Sequence, residues 1–314
     1  MRNPRTAVLG GSGFIGRYVV KRLAARGAVI AVGCRNAERA KFLKPMGNVG
    51  QIATLEVGIG DEKALSSFLA GNIWLVNAVG ILAERGRQRF DLVHRAGPAL
   101  LARLARAAGI ERFVHLSAIG ADARSPSAYA RSKAEGEAAV LEHFPTATIL
   151  RPSVVFGPED QLFNRLAEMA LYSPALPLIG GGETRFQPVH VGDVAEAVVR
   201  CLEDPVTEGR TYELGGPTIY TFREIVELVL AEIHRKRFLV AVPFGLAAFQ
   251  AKLLSPLPSP PLTEDQVLLL QRDNVVSAGA LGLADLGIAP TAVEGVLPTY
   301  LDRFRRGGWY ERQR

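Results

Sequence analysis

Through the first 155 residues of this 314-residue chain, short β-branched runs alternate with longer amphipathic stretches, and that alternation limits the fold more than any other feature. The strand candidates are 7–9, 29–33, 54–57, 73–78, 113–117 and 148–151, and helical patterns occupy 15–26, 62–70, 89–108 and 128–143. Such a series builds βαβ units, whose strands are covered on both faces and so read as continuous apolar runs in a parallel sheet. Pro98 interrupts the third helical pattern, where a kink or restart is expected because proline lacks the backbone donor a helix interior needs. After Pro158 the pattern is less regular. Residues 185–203 read as a strand and then a helix, with Asp193 as N-cap and Glu196 as its capping-box partner. Residues 211–214 read as a further strand, followed by a Gly-Gly-Pro turn and a helix starting near Phe222; the proline-rich 255–261 is neither helix nor central strand.

Composition removes several classes of function. Cys34 and Cys201 lie in apolar runs with no CxxC or Cys/His cluster, which excludes a disulfide scaffold, a structural zinc site and a Cys-ligated iron–sulfur cluster and fits a reducing compartment. Apolar sequence begins almost at once, so no signal peptide is expected. The most apolar later stretch, 238–254, is broken by Pro243 and carries Gln250 and Lys252; it is shorter than the ~20 residues a spanning helix needs, so no transmembrane segment is expected. The formal charge of +6 is uneven: residues 1–150 hold 21 Lys+Arg and 11 Asp+Glu (+10), residues 151–314 hold 16 and 20 (−4). No nucleic-acid-binding motif or interleaving of aromatic and basic residues accompanies it, and no nucleic-acid partner is expected.

The first strand runs into GGSGFIG, which spaces Gly10, Gly13 and Gly16 three apart at the mouth of the first helix. The first glycine permits a tight turn, the second lets backbone approach a pyrophosphate, and the third lets helix and strand pack closely. Ser12, Phe14 and Ile15 complete the cradle at the helix N-terminus, whose free N–H groups and positive dipole end face the phosphates. In dinucleotide folds the end of the second strand selects the cofactor, an acid there favouring NAD. Here it reads VGCRN: Cys34 replaces the acid and Arg35 follows, which favours NADP(H). Asp61 is open to two readings, acceptor for the adenine amino group or cap of the helix starting at Glu62. Ala78 and Gly80 are also open to two, room for a nicotinamide ribose or close helix packing.

YARSK places Tyr129 and Lys133 one helical turn apart on one face, where an ammonium would favour a phenolate able to pass a proton while hydride moves; Ser117 would bind the same substrate oxygen. His190 reads as a core or cleft histidine rather than a catalytic one, and Arg185 faces either a substrate anion or a protein carboxylate. Phe244, Ala247, Ala248 and Ala251 fall at helical spacing and read first as core; the position of 243–262, before a basic tail, also permits contact with a membrane surface or partner subunit.

Together, GGSGFIG, Ser117 and YARSK resemble the extended form of the short-chain dehydrogenase/reductase superfamily. More narrowly, HLSAIGA (115–121), SAYARSKAEGE (127–137), ILRPSVVFGPED (149–160) and LPLIGGGETRFQPVHVGDVAEAV (176–198) are similar to the nucleotide-binding accessory subunits of respiratory complex I (alpha subcomplex subunit nine) and their alphaproteobacterial relatives. The resemblance implies an α/β fold: a Rossmann-type doubly wound parallel sheet over 1–155 and a smaller carboxy-terminal α/β lid region over 156–314, with about 186–216 packing back onto the sheet. It implies NADPH as a structural cofactor, with phosphates on Gly10, Gly13 and Gly16, the 2′-phosphate on Arg35 and the nicotinamide ribose near Tyr129 and Lys133. It also implies complex I subunits as partners, near quinone entry, peripheral on the cytoplasmic side of a bacterial inner membrane. The alternative is a free-standing NAD(P)-dependent oxidoreductase or epimerase using Tyr129, Lys133 and Ser117.

Overall fold

The first apolar run becomes the central strand of a parallel sheet. In the computed structural model, which describes residues 4–255, 262–305 and 307, the chain forms β1 (Arg5–Leu9), α1 (Phe14–Ala25), β2 (Val29–Cys34), β3 (Ile52–Glu56), α2 (Glu62–Leu69), β4 (Trp74–Asn77), α3 (Gly97–Ala107), β5 (Arg112–Leu116), α4 (Ala128–His143) and β6 (Thr148–Pro152). There follow β7 (Val155–Phe156), α5 (Leu162–Tyr172), β8 (Ala175–Ile179), β9 (Arg185–Phe186), β10 (Val189–His190), α6 (Val191–Glu203), β11 (Thr211–Leu214), β12 (Tyr220–Thr221), α7 (Phe222–Glu232), β13 (Phe238–Val242), α8 (Phe244–Leu254), α9 (Glu264–Leu269) and α10 (Val293–Val296).

Seven strands pair in the order β3-β2-β1-β4-β5-β6-β11, every pair parallel. The strand order reverses between β1 and β4, which opens a crevice at their carboxyl ends, where such sheets bind ligands. Alternation along each strand divides the side chains between two helical layers. Ala7 and Leu9 pack with Leu65 and Phe68 of α2, Leu101 and Ala105 of α3 and Val140 of α4. Val8 and Val32 stand on the other side with Val20 of α1, close enough that a Cβ on Gly11 would strike all three. On that side Glu196 of α6 accepts from Arg22 and Arg26 of α1, the bonds measuring 3.0 and 2.8 Å.

Two compact units result. Of the described residues, the first comprises 4–152, 192–214 and 279–288; the second comprises 153–191, 215–255, 262–278 and those from 289 on. Thus α6 from Gly192 and β11 belong with the sheet, while β9 and β10 belong to the second unit. The second unit's core joins α5 and α7 through Phe163, Leu166, Val226 and Val229 to Phe156, Leu178 and Leu301. It is tied by a buried acid: Asp160 accepts from the N–H groups of Phe163 (2.8 Å) and Gly157 (3.3 Å) and from the Tyr300 hydroxyl (2.6 Å).

Two local expectations are corrected. Helix α6 starts at Val191, directly after β10, so Asp193 lies in the first turn and is not the N-cap. Glu196, expected in a capping box, instead turns to Arg22, Arg26 and Arg200. The helical pattern over 89–108 is a widened π-type turn, Asp91–Ala96, followed by α3. Pro98 has no N–H for the carbonyl of His94, so the regular ladder cannot continue across that point. Residues 256–261, which hold most of the proline-rich stretch and the end of the 243–262 segment before Leu262, lie outside the described residues, as do residues 306 and 308–314 of the basic tail. Among the described residues no helix is long and apolar enough to cross a membrane, and no group of three or more His, Cys, Asp or Glu side chains is placed to hold a metal ion.

Candidate functional site

The expected cofactor-binding and catalytic residues lie in the first unit, in the turns and helices that follow the carboxyl ends of its strands, while Arg185 lies in the second unit. Gly10 has φ +81, its N–H donates to Gly33 O at 2.8 Å, and a Cβ on it would stand 2.9 Å from the Ala78 carbonyl. A Cβ on Gly16 would overlap the Gly10 carbonyl oxygen and lie 2.7 Å from Gly11 Cα. The turn therefore needs glycine at both places, Gly10 for conformation as well as space. Helix α1 begins right after Gly13 with no side-chain cap and no acid in its first turn. The N–H groups of Phe14 and Ile15 have no acceptor within the helix, and the dipole is uncompensated, which suits a phosphate.

At the end of β2 the Cys34 thiol is 6% exposed, lies 3.4 Å from Asn36 O, and bonds the Ser12 hydroxyl. Burial pushes its pKa up, so the position is uncharged. Arg35 is exposed and pairs with no carboxylate among the described residues. Asp61 caps α2, its Oδ1 accepting from Ala64 N–H at 3.0 Å, so the cap reading holds; the other carboxylate oxygen takes no part in that bond. Ala78 donates to Leu9 O at 2.9 Å, tying the loop after β4 to β1. Gly80 is where a Cβ would come 3.5 Å from Lys133 Nζ, so its lack of a side chain keeps space beside the ammonium.

Ser127 caps α4 by accepting from Ala130 N–H at 3.2 Å, and the helix carries Tyr129 and Lys133 into the same region. Lys133 is buried, and its Nζ donates to Leu116 O at 3.2 Å. Burial brings its pKa down to about 8, against the opposing charge of Glu137. The half-buried Tyr129 ring meets Phe90 and His94 edge-on, at 5.9 and 5.5 Å between centroids. Ser117, next to the carbonyl that holds Lys133, is 6% exposed, and its Oγ has no hydrogen-bond partner among the described residues. Buried hydroxyls are rarely orphaned, and this one has the capacity to donate to and accept from a further polar atom.

Four polar residues of this region were not singled out from sequence. His94 Nε2 accepts from Ile81 N–H (3.1 Å), which leaves the proton on Nδ1, 2.9 Å from Ser132 Oγ; that hydroxyl donates to Tyr129 O at 2.8 Å. Asn77 Oδ1 accepts from Val79 N–H (3.2 Å), which turns its Nδ2 toward His115 Nδ1 at 3.1 Å. Burial, then the Lys133 charge, brings both imidazoles down to about 3, so they are neutral. A signal for His115 did exist, a polar side chain inside the apolar run FVHL two residues before Ser117. His94 was hidden by reading 89–108 as a regular helix. In the second unit, Arg185 donates to Asp273 at 2.8 Å, which answers the question left open by sequence in favour of a protein carboxylate. His190 ends β10 with its ring 5.4 Å from that of Phe156.

A glycine turn opening onto an uncapped helix at the reversal point of a doubly wound parallel sheet defines a Rossmann-type nucleotide-binding protein. The chain belongs to the NAD dependent epimerase/dehydratase family, whose profile matches residues 6–215. It is 37% identical over 313 aligned positions, 96% of this chain and 78% of the relative, to the mitochondrial NADH dehydrogenase [ubiquinone] 1 alpha subcomplex subunit 9 of Arabidopsis thaliana. It is 33% identical to the subunit of the same name from Mus musculus, covering 96% of this chain and 81% of that one. In fold it is similar to the dTDP-glucose 4,6-dehydratase of Streptomyces venezuelae solved with NAD (TM-score 0.74, 22% identity, 99% of this chain and 100% of that one). It is also similar to an NADPH-dependent quinone oxidoreductase of Escherichia coli solved with NADPH (TM-score 0.73, 21% identity, 92% and 97%).

Proposed function

We propose that this chain is an NADPH-binding accessory subunit of a complex I-type NADH:ubiquinone oxidoreductase, holding its cofactor structurally near the quinone-entry junction. It would be peripheral on the cytoplasmic side of a bacterial inner membrane. The observation that carries the reading is the near full-length similarity to the plant subunit, 37% identity over 96% of the chain. The site supports the cofactor: the glycine turn and α1 would take the pyrophosphate, Asp61 the adenine, Ala78 and Gly80 the nicotinamide ribose with Tyr129 and Lys133, and Ser117 Oγ a polar atom nearby. Bound NADPH would supply a hydride donor in that crevice. An uncharged Cys34 and an exposed Arg35 support the 2′-phosphorylated form, because the strand end carries no acid of its own and a guanidinium is free to bind the extra phosphate.

Arg35→Ala tests that preference. A charge-assisted bond of about 1.5–3 kcal/mol is lost, so NADPH binding should weaken by about 10- to 100-fold while NADH binding changes little. Equal losses in parallel titrations would remove the NADP assignment.

The intact Tyr129, Lys133 and orphaned Ser117 favour a second reading, an oxidoreductase or epimerase with its own turnover. Tyr129→Phe separates the two in cells. A structural cofactor predicts normal assembly and quinone reduction, because only a hydroxyl is deleted; a fall in a soluble carbonyl-dependent NADPH oxidation, with assembly untouched, would favour turnover.

A further inference from the structure

Helix α8 has its side chains reversed relative to a helix on a water-facing surface. Its inner face is small: Ala247 and Ala251, each 1% exposed, pack with Ile179 and Val267. On the opposite face, at i, i+3 and i+7, Leu246, Phe249 and Leu253 are 48%, 65% and 70% exposed. The strand leading into it continues the pattern, with Phe238 77% and Val240 49% exposed on one side of β13. Isolated exposed apolar residues are ordinary; five large ones on two consecutive elements, three along one helical stripe, mark an interaction surface.

The charge around them selects the partner. From Ile233 to Thr263 there is no Asp or Glu, while Arg235, Lys236, Arg237 and Lys252 contribute four positive charges. Lys236 and Lys252 are exposed, and Arg237 donates to the backbone carbonyls of Ala170 (2.8 Å) and Lys236 (3.0 Å), which leave its charge uncompensated. A second copy of this chain would bring four like charges against these four. An anionic surface with an apolar interior is complementary to both features.

We infer that β13 and α8 form a docking face for an anionic lipid bilayer, with Leu246, Phe249 and Leu253 entering the acyl boundary and Lys236, Arg237 and Lys252 meeting headgroup phosphates. The helix lies in the interface plane and does not cross it. This deepens the peripheral-membrane part of the proposed function by naming the surface and the lipid class, and adds β13, which the sequence reading of 243–262 did not include.

The test uses the purified full-length protein and vesicles of phosphatidylcholine with or without a minority of phosphatidylglycerol. Sedimentation should show binding to the anionic vesicles and at least about tenfold weaker binding to neutral ones, since basic residues near the surface each add to the attraction. Phe249→Ser with Leu253→Ser should abolish binding to both while leaving thermal stability and NADPH affinity unchanged, because these side chains face solvent. Lys236→Glu with Lys252→Glu should remove only the preference for anionic lipid. No binding to the anionic vesicles, unchanged binding by the serine variant, or a concentration-dependent dimer dissolved by the serine substitutions overturns the inference. If vesicle binding fails while the chain still co-purifies with quinone oxidoreductase subunits, the lipid face falls and the accessory-subunit reading stands.

Discussion

Gly16→Ala is expected to lose at least about 100-fold in affinity for NADPH and NADH alike, about 2.7 kcal/mol. The new Cβ would meet only backbone: the Gly10 carbonyl oxygen, Gly11 Cα at 2.7 Å and the Gly10 carbonyl carbon at 2.9 Å. Backbone cannot rotate aside as a side chain can, so the turn must shift. The Gly10 oxygen also accepts from Gly13 N–H at 3.0 Å, so the shift reaches the second glycine and the start of α1. Overpacking of this kind costs about 1–3 kcal/mol of stability, a fall of several degrees in Tm. Gly295→Ala is the control, because a Cβ there meets nothing within 4 Å and the residue is helical in α10. Calorimetric titration of the three proteins decides the matter. An affinity for Gly16→Ala close to that of the unaltered chain would mean that the turn is not where the phosphates bind. Unlike Arg35→Ala, which should separate the two nucleotides, this substitution should not discriminate between them.

Acidification should unfold the protein well before its surface carboxylates are fully protonated. His94 and His115 are buried neutral, with pKa values brought from 6.5 to about 3. The unfolded chain therefore takes up two protons that the folded one refuses, so stability is fully present above pH 6.5 and falls as pH drops toward 3. Together the two imidazoles give a slope of up to about 2.7 kcal/mol per pH unit, large against a total stability of about 5–15 kcal/mol. Denaturant titrations at successive pH values should show this slope, and His115→Phe should roughly halve it, whatever it does to the absolute stability. A flat profile between pH 6.5 and 5, or an unchanged slope in the variant, would mean that the imidazoles are hydrated or already charged.

The parts of the fold legible in sequence are those governed by local physics. Helix α4 could be placed because 128–143 is a long helical pattern without proline, and Ser127 caps it where that pattern begins. The glycine turn was legible because each glycine answers a separate steric demand. What escaped depends on partners distant in sequence. Residues 279–288 join the first unit because Leu281 O accepts from Glu213 N–H at 2.8 Å, one bridge with no strand pattern to announce it. His94 reaches Ile81 and Ser132 only because the turn before Pro98 widens and α4 comes close at Gly136, where a Cβ would overlap the His94 carbonyl oxygen. The start of α6 was misplaced for a different reason. Asp193 and Glu196 have the spacing of a capping box, but the glutamate is drawn to arginines on α1, 174 and 170 residues away in sequence.

The most direct test of the account is to purify the tagged chain from its native membranes in mild detergent, then identify the co-purifying proteins and quantify released nucleotide. The account predicts quinone oxidoreductase subunits together with about one NADPH per chain, and loss of both with Gly16→Ala. A soluble, nucleotide-free chain, or one that carries NADH or NADPH and oxidises it by passing hydride to a carbonyl substrate in the absence of those subunits, would contradict it.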